Sequence, residues 1–188
     1  MSTIISLVAV EDSTLGQGSV SMVSADYPLG IDCGFPQKGV DFAGAREAGV
    51  EFAAIRIGQG EDPDSDFAES WPHAKQERIL RFAYVVYDPD IKGLVHVEMY
   101  RDIMSPNDRG ELAPSLDLEL LPVNWNELKA MVDGIEKYDG REAMICYSGA
   151  WFLNAIAIPA WLQAKSFWLT GYNDTGPTMP KGFHPEEL

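Results

Sequence analysis

Two carboxylates two residues apart, Asp117 and Glu119, lie inside the otherwise aliphatic run Ser115-Leu116-Asp117-Leu118-Glu119-Leu120-Leu121-Pro122. Asp and Glu are poor strand formers, yet a leucine-rich run of this length closed by Pro122 reads as a buried strand. Side chains alternate across a strand, so the two acids share one face, with Cα atoms roughly 6.6 Å apart, and the leucines share the other. The leucine face packs under helices. The acid face must then look into a polar interior or a cleft. Taking two unpaired carboxyls out of water keeps one protonated beside an ionised neighbour, and that split pair suits glycoside cleavage. The bland alternative is an amphipathic edge strand with solvated acids, or one acid paired to an arginine.

The elements that must position these acids alternate along the chain. A short strand near Ile31 to Cys33 leads to a helix near Phe42 to Ala48, with Gly49 where a C-capping glycine belongs. The strand Phe52 to Ile57, a helix from Phe67 to Gln76, the strand Phe82 to Tyr87 and a helix from Leu94 to Ile103 follow. After the acid-bearing strand, Asn124-Trp125-Asn126 caps a helix near Glu127 to Lys137. The strand Ala143 to Tyr147, a helical stretch around Trp151 to Ile156 and the strand Phe167 to Gly171 complete about six strands. Repeated strand and helix units imply a parallel sheet with right-handed crossovers. Residues 1–26 show no clear period and read as an arm, and residues 27–188 as the folded unit.

A parallel sheet can stay open and doubly wound or close into a barrel. No glycine-rich phosphate loop follows any strand, since Gly58-Gln59-Gly60 leads into Glu61-Asp62-Pro63-Asp64, which repels phosphate. Polar residues recur instead toward the C-terminal ends of strands: Asp32, Gln59, Tyr87, Glu119, Tyr147 and Tyr172. In a barrel those ends converge on one mouth, where such enzymes hold their sites.

Composition narrows the partners. The 188 residues are 46% hydrophobic and 11% aromatic, enough for one sizeable core. A formal net charge of −15 argues against nucleic acid or an anionic membrane surface as the main partner. No apolar run approaches the roughly 20 residues that span a bilayer. The segment Met1 to Val10 lacks a basic start and runs into Glu11-Asp12, so it is a poor signal peptide. Cys33 and Cys146 offer no disulfide framework and read as buried free thiols, and His73, His96 and His184 are scattered, so neither a metal site nor a cofactor is expected.

Taken together, these residues resemble the glycoside hydrolase family 25 lysozymes, which cleave the bond after N-acetylmuramic acid in peptidoglycan. The likeness rests on Gly30-Ile31-Asp32, on Ala48-Gly49-Val50-Glu51-Phe52 leading to Ile55-Arg56-Ile57-Gly58-Gln59-Gly60, and on Ala83-Tyr84. Leu116-Asp117-Leu118-Glu119 followed by Trp125 is its most specific part, and Tyr147-Ser148 and Phe167-Trp168-Leu169 through Tyr172-Asn173 complete the series in order. The resemblance implies an irregular parallel β/α, TIM-like barrel. It makes Glu119 the general acid and base, with Asp117 and Asp32 supporting charge at the sugar and the substrate's own acetamido group as nucleophile. Tyr84, Tyr147, Trp168, Tyr172 and Arg56 become candidates for substrate contact, against the alternative of barrel core for the aromatics and a salt bridge for Arg56. Peptidoglycan glycan strands are the implied partner, with synthesis in the cytoplasm and action at the bacterial wall, as in a phage or prophage lysin.

Two departures set further expectations. The family continues past the Pro180-Lys181-Gly182 region into final strands, whereas this chain stops at Leu188, which predicts a barrel incomplete at its C-terminus. Either the arm, through Ile4 to Val10, or a partner chain would then cover the open edge, or the sequence is a fragment of a longer protein or a degenerate homologue with weak or no activity. Val85-Val86 also stands where the family often has His-Phe. The rival readings are a chitinase-like enzyme and a non-catalytic or degenerate glycan-binding or structural module.

Overall fold

The computed structural model describes residues 28–35, 39–170 and 179–181, together with the backbone of a two-residue strand, Val8–Ala9. That strand is β1. Then come β2 (Leu29–Cys33), α1 (Phe42–Glu47), β3 (Val50–Gln59), β4 (Asp62–Pro63), α2 (Phe67–Gln76) and β5 (Leu80–Val86). The chain continues through α3 (Gly93–Ile103), β6 (Ser115–Asp117), α4 (Trp125–Asp139), β7 (Ile145–Ser148), α5 (Ala150–Leu153), α6 (Ala160–Gln163) and β8 (Phe167–Leu169). The sheet runs in the order β1-β2-β3-β5-β6-β7-β8, every pair parallel, while β4 folds back antiparallel on β3. No helix among the described residues is long and apolar enough to cross a membrane.

The parallel strand order agrees with the alternation read from the sequence, and Gly49 takes up the positive φ of a residue just beyond α1. Four elements differ from expectation. The acid-bearing strand ends at Asp117, because its neighbour β5 stops at Val86 and Tyr87 N–H donates to the Asp117 carbonyl as the last link on that side. Leu118 stays buried as alternation requires, but Leu120 and Leu121, expected in the strand, are exposed on the segment leaving the sheet. The helical stretch around Trp151 is a single turn, and α6 and β4 were not anticipated. Elements of two to four residues span at most two strand repeats or about one helical turn, too little for a pattern to announce them.

Helix α4 shows why the outer layer forms. Asn124 accepts from the N–H groups of Asn126 and Glu127 at its start, and Gly140 closes its end in the left-handed conformation. Leu128, Met131, Val132 and Ile135 recur at helical spacing and are buried. They pack against the outward sheet face, where Ala53, Ile55, Ala83, Val85, Leu116, Cys146 and Phe167 lie in one core.

The inward face carries a separate, smaller cluster of Phe52, Ala54, Phe82 and Trp168, joined by Tyr84, Ile145 and Tyr147. Phe82 on β5 and Trp168 on β8 are three strands apart, roughly 14 Å in a flat sheet. Their ring centroids are 5.9 Å apart. The sheet must therefore curl into a trough with β1 at one edge and β8 at the other. A Cβ on Gly30 would fall 1.9 Å from the Phe52 ring, so β2 contributes a bare backbone on which that aromatic floor rests.

Candidate active site

Three carboxyl groups meet at the C-terminal mouth of the trough. Asp32 comes from β2 and Asp117 from β6, three strands away. Glu119 has the same parity as Asp117, two residues further on. The backbone beyond β6 is fixed by β7. Leu118 N–H donates to the Tyr147 carbonyl at 3.0 Å, and the buried Ser148 hydroxyl donates to the Leu118 carbonyl at 2.7 Å. These two bonds set where Glu119 points after the regular strand has ended.

The electrostatics follow from this convergence. Burial first, then the charges of Glu119 and Asp32, push the Asp117 carboxyl up to about 7, with Arg56 acting in the opposite direction. Its Oδ1 is buried and has no hydrogen-bond partner among the described residues. Burial alone raises Glu119. Asp117 lies deeper, between the other two acids, and takes the larger shift. Tyr84 is pushed far up by burial and then by Asp32, to which its side chain is hydrogen-bonded. It stays a neutral phenol donating to that acid.

Arg56 approaches Asp64, with 3.5 Å between Nε and Oδ2, and donates from Nη2 to Gln59 Oε1 at 3.2 Å. Asp64, in turn, accepts from the backbone N–H of Phe35 and of Asp66. Sequence reasoning saw Asp64 only as a charge hostile to phosphate. Its use as a clamp on Arg56 depends on the β3–β4 hairpin, which left no signal.

A family model, Glycosyl hydrolases family 25, matches residues 31–186. The chain belongs to glycosyl hydrolases family 25. The Escherichia coli K12 protein YegX, itself uncharacterized, is 26% identical over 167 residues, covering 82% of this chain and 60% of YegX. The chain thus spans about 60% of the length of that curated relative. Among solved structures, a family 25 glycosyl hydrolase from Bacillus anthracis superposes with TM-score 0.66 at 22% identity, covering 74% of this chain and 68% of that one. A bacterial lysozyme from Streptomyces coelicolor gives 0.67 at 21% identity, with 82% and 78% covered. At these identities the likeness is one of fold, and the curled, open β/α barrel agrees with the sequence expectation.

Within this family 25 chain the expected site residues divide into groups. At the mouth Asp117 feels Glu119, Asp32 and Arg56, and Tyr84 feels Asp32, Asp117 and Arg56. Tyr147 pairs in register with Asp117 on one side and Trp168 on the other, its ring 4.8 Å from the Trp168 ring. Trp168 is buried among Phe52, Ala54 and Phe82, so it forms the floor rather than the wall of the mouth. Tyr172 lies outside the described residues. Tyr87, expected at the mouth, points the other way: β5 ends at Val86, and Tyr87 has the parity of Val85. Its ring stacks on His96 at 5.6 Å. Both thiols are buried and free, as read from the sequence.

Proposed function

We propose that the chain is a peptidoglycan hydrolase that cleaves the β-1,4 bond between N-acetylmuramic acid and N-acetylglucosamine. The observation that carries this reading is the buried Asp117 carboxyl, shifted to about 7 beside Asp32 and Glu119 at the mouth of a family 25 barrel. A carboxyl pair that shares one proton near neutral pH has the acid and the anion that glycoside cleavage needs.

In this reading the pair reacts with its shared proton on Glu119 and with Asp117 ionised, and Glu119 donates that proton to the glycosidic oxygen as the bond to the anomeric carbon breaks. The substrate's acetamido oxygen closes on that carbon from the other side, forming a cyclic cation. Asp117 holds the acetamido N–H, and the negative environment of Asp32 favours the positive charge. Glu119, now a carboxylate, takes a proton from water, whose oxygen opens the ring and leaves a reducing muramic acid end. Tyr84 keeps Asp32 in place by its hydrogen bond. Ser148, through the Leu118 carbonyl, keeps Glu119 at the mouth.

A turbidity assay and zymogram on purified peptidoglycan, with the parent beside Glu119→Gln, test this. The variant keeps the shape and loses the transferable proton, so clearing should fall by roughly 10²–10⁴-fold. New reducing ends should be muramic acid. Glycan binding by both proteins with clearing by neither would instead support a non-catalytic module of the same fold. The narrower reading as a phage or prophage lysin is tested by whether the chain, made inside a bacterium, lyses it only once the inner membrane is breached.

A further inference from the structure

Resting on the glycan-cleaving reading of the mouth, we propose that Trp151 is a sugar-stacking platform that extends the substrate site beyond the acids, over the ends of β7 and β8. Trp151 stands in the single turn α5, directly after the β7 end that carries Tyr147 and Ser148. It is 63% exposed, the most exposed large hydrophobic residue of the described chain.

An exposed aromatic by itself needs no explanation. This one is held in place. A Cβ built on Gly149 would fall 2.3 Å from Trp151 Nε1, 2.6 Å from its Cδ1 and 3.2 Å from Thr170 Oγ1. The indole therefore folds back onto the bare backbone of Gly149, beside Thr170, which follows β8 and donates its N–H to the Ser148 carbonyl at 3.1 Å. The Phe152 ring meets it edge-on at 5.6 Å, and Phe152 is fully buried. A large side chain seated in this way loses little freedom on binding while its outer face stays open.

The position is what selects the ligand. Trp151 follows the C-terminal end of β7, the strand end at which Tyr147 stands in register with Asp117 and Trp168. Charge gives this chain no attraction for a glycan whose ionised groups are carboxylates, because its own net charge is −15. Affinity must then come from uncharged contact, and a flat indole against the apolar face of a pyranose supplies it. Asp117 at the end of β6 and Glu119 just beyond it would act on the bond, and Trp151 beyond β7 would hold a sugar further along the same glycan strand.

The test uses peptidoglycan glycan strands freed of stem peptides, with the full chain as parent and the variants Trp151→Ala and Trp151→Phe. Binding is measured in the parent and in the Glu119→Gln background, and turnover in the parent background. Trp151→Ala should weaken glycan binding about tenfold in both backgrounds, the loss a central aromatic anchor typically gives. Its effect should fall on the half-saturating glycan concentration more than on turnover, and Trp151→Phe should recover most of the affinity. A thermal melt within about 2 °C of the parent would show that the turn still folds, as the ring's exposure requires. Affinity within twofold of the parent for a folded Trp151→Ala overturns the inference and leaves the glycosidase reading standing. A parent that neither binds nor clears glycan overturns both.

Discussion

Asp117 is the residue where stability and chemistry are set against each other. Its carboxyl stays protonated up to about pH 7 in the folded chain, whereas in the unfolded chain it loses its proton in the ordinary carboxylate range near 4. Between those values the folded state binds more protons, so this group's contribution to stability falls as pH rises and is fully lost above about 7. Asp117→Asn removes the titration and keeps the shape. Its melting temperature should exceed the parent's at pH 8, and the two curves should converge toward pH 4, each ~1 kcal/mol appearing as about 2–4 °C. Parallel curves would mean that the carboxyl is not held as described. Turnover should drop in the same variant, the trade between activity and stability expected of a strained site. The spacing of Asp117 and Glu119 was legible in the sequence because alternation forces two such residues onto one face. Which of them takes the larger shift was not, since it depends on Asp32 arriving from three strands away and on β6 ending at Asp117.

Elements divide by which end of the sheet they serve. Strand C-terminal ends carry the acids; the opposite end carries a fully buried arginine, Arg81, at the start of β5. It donates to Asp108 Oδ1 at 2.6 Å and to Glu111 Oε1 at 2.9 Å, and its guanidinium lies 4.4 Å over the Trp71 ring. This network ties the connection between α3 and β6 to the barrel floor and lies away from the chemistry, so it reads as stability. Arg81→Ala leaves Glu111 without its cation, while Asp108 keeps Lys75 at 3.2 Å, and it should cost about 1.5–3 kcal/mol in a denaturant melt, with the folded protein keeping the site intact. The hydrogen bond from Arg81 holds Asp108 below the usual carboxylate range. Its contribution is thus present above the unfolded value and lost as pH falls through the folded one, the reverse of Asp117. The sequence made long elements legible, α2 and α4 above all, because several turns repeat one apolar face. It could not show that Arg81, just ahead of the strand read as Phe82 to Tyr87, is buried, since its partners lie 27 and 30 positions away.

At the scale of the molecule, the curl brings Asp32 to Asp117 without joining the two edge strands of the described sheet, β1 and β8. The alternation of strands and helices implied a parallel sheet, and the polar strand ends with the family resemblance implied a barrel, but the contact that proves the curl, Phe82 to Trp168, joins residues no periodicity connects. Among the described residues β8 has a strand partner on one side only, and on the other edge β1 covers part of β2, with Val8 opposite Leu29 and Ala9 opposite Gly30. That pairing falls within the Ile4 to Val10 segment expected to meet an open edge, and we propose that it is the arm's role to cover β2. Beginning the chain at Tyr27 would bare the N–H and C=O groups of the strand that carries Asp32, and a bare parallel edge invites pairing with a second copy. Because only two residues are paired, the loss should be a few degrees in melting temperature rather than unfolding, accompanied by concentration-dependent self-association in light scattering. Turnover should decline with it, as Asp32 sits on the exposed strand while Asp117 and Glu119 remain supported by β5 and β7. A shortened chain as stable, monomeric and active as the parent would show that β1 is a passing contact, and that β2 needs no cover.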